Sequence, residues 1–288
     1  MPELPEVQTI VNDLAASGIT GRKITSISVF WPPLIQGRAA RSFAARLRGR
    51  RILALSRRGK YLVFSLSGGY TLLVHLRMSG QFSIAAAGLP LEKHQHLILS
   101  LDDGRQVRYR DTRKFGRWLL TRHPEQVLDA LGPEPLDKSF VSRALYEILQ
   151  KHSRMLKPFL LDQTKIAGLG NIYADEALWA ARLNPGRATS SLSRSESGAL
   201  FKAIRCVLLR GIRNKGTSLG RGAGNYMRLG EKRGKNQNCL MLSRTKGTAC
   251  PRCGHLIRRS IYGQRATYFC PDCQELPPAA SGSARARR

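Results

Sequence analysis

The chain opens Met1-Pro2-Glu3-Leu4-Pro5-Glu6. Pro5 suits the first turn of a helix, where its missing N–H costs nothing. Val7, Ile10, Val11 and Leu14 then continue at helical spacing. A helix therefore begins at once, and the chain start stands at its mouth instead of on a loose tail. A start methionine before a small residue is commonly trimmed, which here leaves Pro2 with a free secondary amine. An α-amino group titrates at about 7.7–8.0, so part of it is uncharged near neutral pH, whereas a lysine at about 10.4 is not. An uncharged amine attacks carbon and forms a Schiff base, and Glu3 beside it can move protons. The alternative is an ordinary capped helix start with a frayed end. The rest of the chain has to decide between the two.

The chain has 288 residues and a net charge of +29, with 42% hydrophobic residues. That hydrophobic fraction supports real cores, in one large or two to three small domains. A field of that sign selects a polyanion as partner, either nucleic acid or an anionic membrane surface. No apolar run approaches the ~18 residues needed to cross a bilayer, and the start lacks the basic-then-apolar pattern of a signal peptide. Nucleic acid is the expected partner.

From Ile24 the chain reads as short strands: Ile24–Phe30, Arg51–Ser56, Tyr61–Leu66, Tyr70–Leu76, His96–Leu101, Val107–Tyr109 and Trp118–Thr121. Gly and Asp cluster between several of them, as in a β-sandwich or barrel. One helical stretch, Ala40–Leu47, interrupts the series. After Pro124 the pattern becomes helical, over Glu125–Leu131, Ser139–Lys151, Asn171–Ala181 and Ser193–Arg213, with a hinge-like break at Leu131-Gly132-Pro133-Glu134-Pro135. Cys206 lies in the last of these helices and is expected in the core. Lys215 to Lys235 is rich in Gly, Lys and Arg and reads as a mobile loop, and Cys239 just beyond it reads as incidental. The Ala/Ser/Arg-rich end reads as disordered. The resulting division is 1–130 sandwich, 131–220 helical domain, 221–239 basic loop, 240–274 four-cysteine unit and 275–288 tail.

Cys250-Pro-Arg-Cys253 and Cys270-Pro-Asp-Cys273 are two C-x2-C pairs with sixteen residues between the inner cysteines. This is the spacing of a closed four-thiolate zinc site, which holds a fold and does no chemistry. Four paired cysteines also fit a reducing compartment better than a disulfide framework. Leu256-Ile257 and Tyr268-Phe269 predict a β-hairpin between the pairs, carrying Arg258, Arg259 and Arg265. Those arginines are either solvated charges or a face turned to nucleic acid.

Gly168-Leu-Gly-Asn171-Ile-Tyr-Ala-Asp-Glu176 is a glycine turn opening a helix. It is either a plain turn or an anion site whose N–H groups take a phosphate, with the Asn171 side chain as an added donor. Lys60, in Arg57-Arg58-Gly59-Lys60-Tyr61, is a surface lysine or a buried cation near a phosphate. Met78 in His75-Leu-Arg-Met78-Ser-Gly80 and Phe115 in Asp111-Thr-Arg113-Lys-Phe115-Gly116 are either core or wedges. A protein that extrudes a base needs something to fill the hole.

In this order, Pro-Glu-Leu-Pro-Glu-Val, Arg-x-Gly-Lys-Tyr, His-Leu-x-Met-Ser-Gly, Arg-Lys-Phe-Gly, Gly-Leu-Gly-Asn-Ile-Tyr and Gln264-Arg265-Ala-Thr resemble the formamidopyrimidine-DNA glycosylase family from Pro2 to about Gln274. The resemblance implies an α+β multidomain chain: an N-terminal β-sandwich with a leading helix, a helix–two-turn–helix domain and a C-terminal zinc-finger β-hairpin. It implies a bifunctional glycosylase and AP lyase that removes oxidised purines from double-stranded DNA in base excision repair. On it, Pro2 is the nucleophile, Glu3 the proton donor to the sugar, Lys60 the phosphate-holding proton donor of β-elimination, and Arg265 the phosphate grip serving δ-elimination. Met78, Arg113 and Phe115 correspond to the residues that fill the gap, and Asn171 and His94 to DNA contacts. The four cysteines would hold one structural Zn2+, with no catalytic cofactor, no membrane partner and a monomeric, cytoplasmic, nucleoid-associated protein. The segment after Ser218 departs from the family pattern and leaves lesion preference open. The alternatives are an endonuclease VIII-like enzyme for oxidised pyrimidines or hydantoins, against which Leu4 speaks, and a non-catalytic binder of damaged DNA.

Overall fold

The structure is a computed structural model, and it describes residues 1–220, 225–242 and 247–276. Helix α1 runs Leu4–Ala16 with Pro5 in its first turn, and its Leu4, Val7, Ile10 and Leu14 face inward. Eight strands follow: β1 (Ile24–Val29), β2 (Ile52–Arg58), β3 (Tyr61–Leu66), β4 (Tyr70–His75), β5 (Gly80–Ala86), β6 (Gln95–Leu101), β7 (Arg105–Asp111) and β8 (Arg117–Thr121), with α2 (Ala40–Leu47) between β1 and β2. They form two antiparallel sheets, in orders β1-β6-β7-β5 and β2-β3-β4-β8. Facing apolar residues of the two sheets close the sandwich. At its centre Phe82 meets Tyr109 and Trp118 with ring centroids 5.4 and 5.7 Å apart, a spacing at which aromatic pairs attract beyond their buried area.

β5 is absent from the sequence reading. It starts at a glycine and ends in two alanines, so only Gln81 to Ile84 alternate, too short a run to stand out. A short helix, α5 (Leu156–Leu161), is absent too, because Pro158 reads as a breaker. Pro158 sits in the first turn, where it removes no intrahelical bond. The other helices are α3 (Glu125–Leu128), α4 (Ser142–Gln150), α6 (Asn171–Ala180) and α7 (Arg194–Arg213). They bury a second core that includes Leu145, Phe159, Tyr173, Leu178 and Leu208, and Leu4 at the chain start belongs to it.

Cys206 is exposed, contrary to expectation. The inward stripe of α7 is Leu200, Ala203, Ile204, Val207, Leu208 and Gly211. Residue 206 falls on the opposite face with the exposed Lys202 and Leu209.

The break at Leu131–Pro135 is fastened rather than a free hinge. Arg57 grips the Glu134 carboxylate with two bonds of 3.0 and 2.8 Å, Arg58 adds one of 3.2 Å, and the Gly59 N–H donates to the same group. Burial pushes Glu134 up, but the Arg57 guanidinium and its neighbours outweigh it and hold the carboxyl below its usual range. The turn that carries Lys60 is thereby tied to the helical half of the molecule.

The described part of Lys215–Lys235 is also pinned, where the sequence suggested a mobile loop. Tyr226 enters the sandwich core and is 6% exposed. Arg228 pairs with Asp13 of α1 through bonds of 3.0 and 2.7 Å. Thr217 and Ser218 are buried as well, the Thr217 N–H donating to Glu6 and the Ser218 hydroxyl to the Tyr226 carbonyl, each at 2.7 Å. Residues 221–224 and the basic tail from residue 277 lie outside the described residues.

Strands β9 (Arg258–Tyr262) and β10 (Arg265–Phe269) make the expected hairpin. Its turn has Gly263 at φ 54° and Gln264 at φ 61°, the left-handed pair that matches strand twist in a tight hairpin. Among the described residues no helix is long and apolar enough to cross a membrane.

Candidate functional site

The two halves and the hairpin meet at a cavity of about 410 Å³ lined by Met1, Glu3, Lys60, Met78, Asn171, Gln264 and Arg265, among others. The sequence spreads these residues over the whole chain. α1 brings the chain start, the β2–β3 turn brings Lys60, the β4–β5 loop brings Met78, α6 brings Asn171 and the hairpin turn brings Arg265.

Glu3 is buried. Its carboxylate accepts the N–H groups of Ile172 at 2.8 Å and Tyr173 at 3.2 Å. These are the free donors at the start of α6, where a negative group is favoured by the helix dipole. Of the two readings left open, a plain turn or a phosphate site, the turn matches neither: its N–H groups take an anion, and that anion is the protein's own carboxylate. Gly170 makes this possible, since a Cβ there would stand 2.3 Å from Glu3 Cδ. The Asn171 side chain donates to the Ala266 carbonyl at 3.0 Å, tying α6 to the hairpin.

Beneath Glu3 lies Glu6, which the sequence reading passed over. It accepts from the Glu3 N–H at 2.9 Å, the Tyr173 hydroxyl at 2.7 Å and the Thr217 N–H at 2.7 Å. Burial first, and the neighbouring Glu3 second, push its carboxyl up to about 7, while those three donors pull it back. Its position at the third helical residue after Glu3, the capping-box spacing, was the available signal.

With Met1 in place the Pro2 nitrogen belongs to a peptide bond, and the free amine is that of Met1. Burial pushes this amine below its usual 8.0; Glu3 and Glu6 oppose that, and Lys60 and Arg113 add to it. Lys60 is 6% exposed. Burial lowers its affinity for a proton too, against the pull of Glu3 and Glu6. Of the two readings left open for Lys60, a surface lysine is not what is found: the side chain is buried. Arg265 is exposed at the cavity rim.

The remaining candidates stand on loops of the sandwich, and of these Met78 lines the cavity. Met78 is half-buried, whereas Arg113 and Phe115 are exposed. The Arg113 guanidinium stacks on the Phe115 ring at 4.8 Å, and Phe115 is 46% exposed, so neither is core. His94 is half-buried at φ 69° and lies 6.4 Å from the His96 ring.

The sulfurs of Cys250, Cys253, Cys270 and Cys273 all lie within 4.8 Å of one another. Cys250 and Cys273 are 3.9 Å apart and Cys253 and Cys270 3.4 Å. A tetrahedral zinc with Zn–S bonds of about 2.3 Å needs sulfurs about 3.8 Å apart, so the set fits one structural zinc. The Trp179 indole N–H donates to Cys250 Sγ at 3.4 Å, and Arg252 stacks on that indole at 4.0 Å. The finger is thus seated on α6. A buried ion pair, Lys157 with Asp175, fastens it further: Lys157 Nζ also donates to the Ala266 carbonyl at 3.3 Å, and Asp175 accepts the Tyr268 N–H at 3.3 Å. Neither residue was singled out from sequence. The signal was a lysine inside the apolar run Leu156–Leu161 and an aspartate one turn after Asn171.

Comparison with known proteins gives three regional matches. Residues 1–118 match the formamidopyrimidine-DNA glycosylase N-terminal domain, 131–221 the H2TH domain of that enzyme, and 247–276 a zinc finger found in FPG and IleRS. The chain is 42% identical over 275 residues to a formamidopyrimidine-DNA glycosylase of Protochlamydia amoebophila, covering 96% of this chain and all of that one. It is 43% identical over 276 residues to one from Roseiflexus, covering 95% and all of it. Among solved structures it is similar to Lactococcus lactis Fpg in complex with abasic-site DNA, at 37% identity and TM-score 0.87, covering 95% of this chain and all of that one. A second complex of the wild-type Lactococcus protein, with DNA containing N7-benzyl-Fapy-dG, gives 37% identity and TM-score 0.86 over 96% of this chain and all of that one.

Proposed function

The chain belongs to the formamidopyrimidine-DNA glycosylase family, and from that premise we propose that it excises oxidised purines from duplex DNA and then cuts the strand. The observation that carries this reading is the cavity where the chain start, Glu3, Lys60 and Arg265 converge.

In this reading Met1 is removed and the Pro2 nitrogen becomes the nucleophile. A pocket that already depresses the amine of Met1 by burial favours the neutral, attacking form of its successor. The Pro2 nitrogen attacks the sugar C1′, the bond to the damaged base breaks and the base leaves. Glu3, held rigid by the α6 N–H groups, delivers a proton to the opening sugar. The resulting imine acidifies the C2′ proton. Loss of that proton expels the 3′ phosphate, and a second elimination expels the 5′ phosphate. Lys60 holds the phosphate and supplies a proton in the first elimination, and Arg265 grips phosphates and serves the second. No bond to a metal is needed, because the zinc stabilises only the hairpin that carries Arg265.

Met78, Arg113 and Phe115 fill the gap that the flipped nucleotide leaves, and His94 and Asn171 contact the DNA. Flipping costs a few kcal/mol of unstacking, which the wedge offsets in part. With a charge of +29, binding falls steeply with salt. The expected location is the bacterial cytoplasm, at the nucleoid.

Borohydride trapping on duplexes with different lesions tests the reading. A covalent adduct is expected with 8-oxoguanine or formamidopyrimidine DNA, and it disappears when one residue is inserted before Pro2, which moves the amine out of place. Adducts only with oxidised pyrimidines would reassign the substrate. The absence of any adduct would leave a binding protein.

A further inference from the structure

We propose that Asp111 is the positioning residue for the wedge, holding the two loops that carry Met78, Arg113 and Phe115 in one arrangement. This rests on the wedge assignment above and adds to it the residue that sets the wedge's shape.

Asp111 ends β7 and is 0% exposed. Both oxygens of its carboxylate are used, and all the partners are donors. Oδ1 accepts the Ser79 hydroxyl and the Arg113 N–H at 3.2 Å. Oδ2 accepts the Gly116 N–H at 2.8 Å and the Tyr109 hydroxyl at 3.3 Å. Ser79 follows Met78 in the β4–β5 loop. Arg113 and Gly116 bracket Phe115 in the loop between β7 and β8. One buried group therefore joins both loops, and the Arg113 N–H also reaches Ser79 Oγ at 3.1 Å.

A second observation points the same way. The Tyr109 hydroxyl sits between Gly80 and Gly116, where added Cβ atoms would stand 2.4 and 1.9 Å from it. The two loops close on that hydroxyl as well as on the carboxylate. Their free ends bear the three wedge residues, and the Arg113 side chain is stacked on Phe115 instead of paired with an acid. A wedge must push into a base stack without folding back, so its two halves need a fixed base. Asp111 supplies it from below without facing the cavity.

Asp111→Asn keeps the volume but turns one acceptor into a donor. Whichever way the amide points, its NH2 faces a backbone N–H that cannot accept, that of Arg113 or of Gly116, so the loop between β7 and β8 loses a bond even if the neighbouring hydroxyl turns to accept. The experiment uses the full-length protein and duplex DNA with a tetrahydrofuran site and 2-aminopurine in the strand opposite. Insertion of the wedge unstacks the 2-aminopurine and raises its fluorescence with no chemistry involved. In parallel, borohydride trapping on single-stranded abasic DNA reads the amine pocket without any duplex to open. In Asp111→Asn the wedge-inserted population is expected to fall about tenfold, as when one bond to a charged group is lost. Trapping on the single strand stays at the parent level. Ser79→Ala removes one oxygen and gives a smaller fall, and it keeps the test open should Asp111→Asn not fold. Unchanged fluorescence in these variants overturns the proposal, as does a parallel loss of single-strand trapping, or no fluorescence rise in the parent. A parent that unstacks the probe in an Asp111-dependent way but traps nothing refutes the enzyme reading and leaves this one standing.

Discussion

Gly170→Ala tests the site at one methyl group. Gly170 has an ordinary extended backbone, so alanine brings no torsional strain. The new Cβ would lie 2.3 Å from Glu3 Cδ, 2.5 Å from Cγ and 2.6 Å from Oε1, and ordinary contact starts at 3.4 Å. The Glu3 carboxylate must retreat by the difference, 3.4 − 2.3 = 1.1 Å. Its bonds to the Ile172 and Tyr173 N–H groups, at 2.8 and 3.2 Å, do not survive that shift. Each bond to a charged group contributes about 1.5–3 kcal/mol. Water from the adjoining cavity can replace part of it, so the lower end applies, about 3 kcal/mol for the two. For a chain of this size that lowers Tm by roughly 6–12 °C. Displacement of a proton donor by about 1 Å costs roughly a hundredfold in rate. Single-turnover excision of formamidopyrimidine from duplex DNA, with thermal unfolding alongside, reads both. An unchanged excision rate in a folded Gly170→Ala protein would show that Glu3 does not work from the place where α6 holds it.

Two further outcomes follow from other parts of the site. Cys250→Ala removes one of the four sulfurs and the acceptor of the Trp179 N–H; zinc content by atomic absorption should drop to near zero and DNA binding should be lost, and full zinc with normal affinity would refute the metal assignment. For Glu6, burial raises the carboxyl from 4.5 to about 7. The folded state therefore holds a proton that the unfolded chain releases, and stability falls as pH rises from about 4.5 through 7. The upper limit is about 3 kcal/mol, so urea unfolding between pH 5 and 8 should slope downward in the parent and less in Glu6→Gln, and equal slopes would rule the effect out.

The parts legible in the sequence were those written in local physics. Pro5 and the spacing of Val7 to Leu14 give α1, and the cysteine spacing gives the finger with its hairpin. The parts missed depend on partners far along the chain. Cys206 read as core because its helix is apolar, but a face is fixed only by what packs on it, and here that is Tyr173 against Gly211. The glycine turn before Asn171 reads as either a plain turn or an anion site, and nothing local says that Glu3 fills it. Lys157 and Asp175 look like one charge in an apolar run and another in a helix until the fold buries them together. Asp111 was visible only as a neighbour of Arg113, because its four donors come from three different elements.

The partners that lock the beginning of this protein are made late. Glu3 and Glu6 bond to residues 169 and 211 positions downstream. At 5–20 residues per second, a ribosome takes roughly 10–40 s to supply them. For that interval the leading methionine is wholly open to an aminopeptidase, whereas in the finished fold it lines the cavity beside Glu3 and Lys60 and is 43% exposed. The order of synthesis thus gives the proposed removal of Met1 a head start over closure, and a chain refolded in a test tube with Met1 still attached has no such interval.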